Sequence, residues 1–71
     1  MNKYAVSITL VRQNSGTNIS IANYLEVHEA DSKLHAELEA AREAVALRPG
    51  YEIVSYQSKL IEPFSVIPVL G

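Results

Sequence analysis

DSKLHAELEAAREAVALRPG, residues 31–50, is the stretch that decides the fold. Leu34, Leu38, Ala41 and Val45 recur at spacings of four, three and four, which puts them on one helical stripe, and Ala44 and Leu47 widen it. Lys33, Glu37, Glu39, Arg42 and Glu43 fall elsewhere on the cylinder. Five alanines between Ala36 and Ala46 add intrinsic helix preference. Asp31 and Ser32 each carry a short side-chain oxygen able to accept from a free N–H of the first turn. Pro49 forbids an ordinary continuation and Gly50 supplies the exit. The spacing predicts one helix, from residue 31 or 32 to 47.

Upstream, the period changes from that of a helix to that of a strand. From Lys3 to Arg12, Tyr4, Val6, Ile8 and Leu10 alternate with Ala5, Ser7, Thr9 and Val11, the pattern of a half-buried strand. The polar run Gln13-Asn14-Ser15-Gly16-Thr17-Asn18 is turn chemistry. From Ile19 to Val27, the apolar set Ile19, Ile21, Leu25 and Val27 shares a face with Asn23, and Ser20, Ala22, Tyr24 and Glu26 take the other. The two runs read as an antiparallel hairpin. Its expected inner face joins Tyr4, Val6, Ile8 and Leu10 to Ile19, Ile21, Leu25 and Val27, roofed by the stripe Leu34–Leu38–Ala41–Val45. Such packing leaves no enclosed pocket for a reaction.

Downstream, Tyr51 to Ile61 is a third strand with blurred alternation, as in a strand that carries a bulge or makes contacts on both sides. Pro63 ends it. Residues 63–71 form an apolar C-terminal arm or edge strand, since Pro68 is tolerated at edges and strand starts. The expected fold is a single α+β domain over residues 1–71, of β-β-α-β order. Its antiparallel sheet has three strands, or four with the tail, and one helix packs on one face.

Composition limits what such a domain can be. Seventy-one residues bury about 60% of the surface their unfolded chain exposes, so the core is thin. There is no cysteine, so neither disulfides nor thiolate metal sites can reinforce it. Good packing or self-association must supply the difference. The amino terminus enters the alternating pattern directly, with no signal-peptide pattern, and no apolar run is long enough to span a membrane. A cytoplasmic setting without membrane contact is expected.

The net charge is −2. Residues 26–43 carry six acids (Glu26, Glu29, Asp31, Glu37, Glu39, Glu43) and two bases (Lys33, Arg42). The rest carries Lys3, Arg12, Arg48 and Lys59 against Glu52 and Glu62. Phosphate binding favours clustered bases, and these four are scattered. Nucleic acid is therefore not the expected partner. The alternative is a nucleic-acid module that stacks bases on Tyr24, Tyr51 and Tyr56 and uses the Lys3, Arg12 and Lys59 side.

Catalytic patterns are missing. Asp31, His35 and Glu39 line up four residues apart on the helix, but three flexible ligands fall short of a structural zinc set, and a solvated face is the better reading. Glu37, Glu39 and Glu43 lie on the polar side of a short helix in a domain too small to enclose them, so no carboxylate pair is expected to be tuned for acid–base work. No nucleophile turn and no phosphate loop occurs. No enzyme, metal or cofactor is expected. The segment with most to offer a partner is the tail, where Phe64, Val66, Ile67, Val69 and Leu70 are large and apolar.

Val27-His28-Glu29-Ala30-Asp31-Ser32, the alanine-rich helix and Arg48-Pro49-Gly50-Tyr51-Glu52-Ile53-Val54-Ser55 together resemble small phage, prophage and bacterial accessory proteins. In those, a hairpin leads into a helix and a Pro-Gly-Tyr turn leads into a last strand. The resemblance covers residues 27–55 and implies a β-β-α-β sandwich with no functional residues to transfer. The expected function is a non-enzymatic accessory protein that forms a homodimer and binds a protein partner. The contacts would be the sheet edge, the tail, or the acidic residues Glu37, Glu39 and Glu43, in the manner of a phage inhibitor.

Overall fold

A computed structural model of the chain describes residues 2–62. The elements follow the expected order: β1 (Asn2–Gln13), β2 (Ile19–Ala30), α1 (Lys33–Leu47) and β3 (Glu52–Glu62). The three strands form one antiparallel sheet in the order β2-β1-β3, with α1 lying across one face and touching all three strands. This is the α+β architecture predicted from the alternating runs and the single amphipathic stretch. The tail, residues 63–71, lies outside the described residues.

Local chemistry sets the boundaries. Gly16, at φ +65°, sits in a five-residue loop closed by Asn14 N–H donating to the Asn18 carbonyl at 2.9 Å. Ser32 is the helix N-cap, its hydroxyl accepting from the His35 N–H at 3.2 Å. At the other end the Arg48 N–H donates to the Ala44 carbonyl, and Gly50, at φ +85°, turns the chain into β3.

The core differs from the expected one in two places. On β1, Tyr4, Val6, Ile8 and Leu10 are buried, as their alternation predicts. On β2, however, the buried residues are Ala22, Tyr24 and Ala30, while Ile19, Ile21, Leu25 and Val27 are exposed. The cause is register. Gln13 pairs with Ile19 across a loop of odd length, so even-numbered residues of β1 face even-numbered residues of β2: Val6 opposite Glu26, Ile8 opposite Tyr24, Leu10 opposite Ala22. Side chains alternate with a period of two, so one residue more or less in the loop would have turned the other set inward.

The helix also presents a different stripe. Ala36, Ala40 and Ala44 are fully buried, whereas Leu34, Leu38, Val45 and Leu47 are exposed. At about 100° per residue, Leu38 stands two positions, roughly half a turn, from both Ala36 and Ala40. The sheet already contributes the bulk of Tyr4, Val6, Ile8, Leu10 and Tyr24. Helix packing distance depends on the side chains at the contact, so small residues let α1 settle close to that surface. Leu34–Leu38–Val45 is therefore not the roof of the core; the alanines are.

β3 follows β1 with two irregularities. Leu10 pairs with Ile53 and Thr9 with Ser55, leaving Val54 extra, and a second shift between Lys3 and Tyr4 leaves Ile61 extra. The blurred alternation of this run is thus the signature of a twice-bulged edge strand.

Candidate interaction site

Turning both apolar sets away from the core creates two exposed surfaces on opposite sides of the sheet. The first lies on the open face along β2. Ile19, Ile21, Leu25 and Val27 are 54–72% exposed and line one edge of the sheet. Their neighbours across β1 are Gln13, Val11, Ser7 and Ala5, which leave them exposed. At the middle of the row, Asn23 stands opposite Thr9, whose hydroxyl donates to Asn23 Oδ1 at 3.3 Å.

The second surface is a groove of about 170 Å³ between α1 and β3, lined by Leu34, Glu37, Leu38, Ala41, Ile53 and Tyr56. The Ser58 hydroxyl donates to the Glu37 carboxylate and so ties β3 to this flank of the helix. A wider depression of about 550 Å³ shares Glu37 and Tyr56 with this groove and also reaches Ser7 and Leu25 of the open face.

The acidic helix residues do not form one patch. Glu37 stands on the β3 flank with Ser58. Glu39 and Glu43 stand on the β2 flank, each with a carboxylate oxygen 3.9 Å from a His28 ring nitrogen. The Tyr24 hydroxyl and His28 Nε2 lie 2.9 Å apart, a hydrogen bond whose direction follows the imidazole tautomer. Burial pushes the Tyr24 phenol up to about 12, and the charges of Glu43 and Glu26 and a hydrogen bond to Glu43 add to the effect. This cluster clips β2 to α1. Sequence spacing had singled out His35 with Asp31 and Glu39, but the histidine nearest Glu39 is His28, on another element. Among the described residues no group of three His, Asp or Glu side chains is arranged to hold a metal ion.

The three tyrosines differ in setting: Tyr24 is buried and Tyr56 is exposed. Tyr24 and Tyr56 both pair with the buried Ile8, so both belong to the helix-covered face. Tyr51 precedes β3, with the Arg12 guanidinium 6.0 Å from its ring centre. The apolar tail residues Phe64, Val66, Ile67, Val69 and Leu70 lie outside the described residues.

The β2 row was not anticipated as a surface. Its one advance sign is Asn23, a polar residue in an otherwise apolar row, which suits a face in reach of water better than a core. No protein-family model, curated protein or solved structure matches this chain. No helix among the described residues is long and apolar enough to cross a membrane.

Proposed function

We propose that this chain is a non-enzymatic accessory protein that works by burying exposed apolar surface on another protein, most simply a second copy of itself. One observation carries the reading: the large aliphatic side chains of β2 and α1 face outward while alanines line the helix side of the core. Fully burying a Val, Leu or Ile is worth about 1.5–3 kcal/mol. Four such residues, each more than half exposed, leave on the order of 5 kcal/mol unrealised in the isolated chain. A 71-residue domain has roughly 4–11 kcal/mol of total stability. A contribution of that relative size gives association a strong driving force.

Within this reading the tail residues Phe64, Val66, Ile67, Val69 and Leu70 extend the contact surface, and Glu39 and Glu43 offer a rim to a basic partner. The setting is cytoplasmic, and the role is that of a phage- or prophage-type accessory factor. Sedimentation equilibrium of the full chain tests the core of the proposal. A dimer at micromolar concentration is the expected result. A monomer that persists to high micromolar concentration would count decisively against it.

A further inference from the structure

We infer that two copies join edge to edge through β2, antiparallel, with Asn23 on the two-fold axis. This rests on the self-association proposed above and specifies its geometry.

The first argument is the difference between the two edges of the sheet. Natural edge strands are commonly protected by bulges, lysines or prolines that discourage further pairing. β3 has such protection: two bulges, Lys59, and Pro63 directly after its last residue. β2 has none of it. It runs for twelve residues in unbroken register with β1 and contains no proline, glycine, lysine or arginine. Among the described residues its only strand partner is β1. The helix lies over the face of the sheet, buried through Ala36, Ala40 and Ala44, so it does not block this edge.

The second argument is self-complementarity. An antiparallel pair about a two-fold axis matches residues whose numbers have a constant sum. With Asn23 opposite itself, Ile21 meets Leu25 and Ile19 meets Val27, each twice. Every large apolar residue of the row then faces another. The two Asn23 side chains meet at the centre, where each amide can both donate and accept; the Thr9 hydroxyl already donates to one lone pair of Asn23 Oδ1. On the helix side Ala22 meets Tyr24 and Ser20 meets Glu26, so no like charges are opposed. Moving the register by one step in either direction puts Asn23 against an aliphatic residue, Leu25 or Ile21. It also sets Ile19 against Glu29 in one direction and Val27 against Thr17 in the other. A polar residue at a single central position that favours one register is a known means of specifying a pairing. The result is a six-stranded sheet with both helices on one side and a joined apolar row on the other.

The chain has no cysteine, so Asn23→Cys supplies a sole thiol. Opposed residues of an antiparallel pair bring their Cβ atoms to about 4.5–5.5 Å, near disulfide reach. Under mild oxidation at micromolar concentration, Asn23→Cys should form a linked dimer on the order of a hundredfold faster than Gln57→Cys on β3, because paired thiols meet at millimolar effective concentration. Ile21→Cys mixed with Leu25→Cys should link to each other faster than either links to itself. Leu25→Lys should weaken association about tenfold while leaving the helical circular dichroism signal unchanged. If sedimentation shows a dimer but Asn23→Cys links no faster than Gln57→Cys, β2 pairing is wrong and self-association stands. A wild-type monomer refutes both. A chain that dimerises only after removal of residues 63–71 would assign this edge to the tail and refute the pairing in the intact protein.

Discussion

Placing an aspartate at position 40 and, separately, at position 38 would show which stripe of α1 faces the core. Ala40 is fully buried and Leu38 is 55% exposed. Both positions are interior to the helix, so each substitution carries a loss of helix propensity of no more than about 0.7 kcal/mol, somewhat larger from alanine than from leucine. Leu38→Asp also gives up the half-buried portion of a leucine, about 1 kcal/mol, for a total near 1–2 kcal/mol. Ala40→Asp puts a carboxylate against Val6, Ile8 and Leu10 with no partner, and the side chain is too short to reach water. The penalty for an unpaired buried ion is several kcal/mol, a large part of the roughly 4–11 kcal/mol a chain of this length has. In urea denaturation followed by circular dichroism, Leu38→Asp should remain folded with a modestly lowered midpoint, and Ala40→Asp should be largely unfolded at neutral pH. Ala40→Asp should also recover part of its stability below about pH 4, where the carboxyl is protonated in both folded and unfolded chains. The opposite ranking, with Leu38→Asp the more damaging, would refute the alanine roof and restore the leucine stripe as the core face.

Two further tests address the flanks of the fold. Tyr24 is held at about 12 against an ordinary value of 10.0, so the folded chain keeps a proton that the unfolded chain releases. Its contribution to stability is full below pH 10 and is lost as pH rises through about 12. An ultraviolet titration of the tyrosines should show a component that ionises late and is absent from Tyr24→Phe. Gly50→Ala should cost about 1–2 kcal/mol, measured by the same urea assay. The cause is its φ of +85°, since an added Cβ would meet only Arg12 Cδ at an ordinary 3.7 Å.

Much of the architecture was legible before any coordinates. The loop around Gly16, the Ser32 cap, the Pro49-Gly50 exit and the two periods, two and then 3.6, place three strands and one helix. These are local effects: a cap, a turn or an alternation depends on neighbours a few residues away. The irregular third run read as a strand with either a bulge or contacts on both sides; the pairing with β1 decides for bulges and shows that Val54 and Ile61 are the extra residues. The candidate surface was much harder to see. The helix carries two usable stripes, one of leucines and valine and one of alanines, and hydrophobicity alone favours the larger residues. His28, Glu39 and Glu43 meet only because β2 and α1 pack side by side.

The sequence by itself determined the elements, their order and the inward face of β1, because each follows from short-range periodicity and backbone chemistry. Tertiary structure decided which faces of β2 and α1 point inward. For β2 the deciding quantity was the parity of a five-residue loop, which pairs Gln13 with Ile19 and turns Ile19, Ile21, Leu25 and Val27 to the open side. For α1 it was volume: the space left above Val6, Ile8 and Leu10 accepts alanine, and the leucines turn outward. Neither a register nor a remaining volume belongs to any single segment of chain, so neither could be read from one.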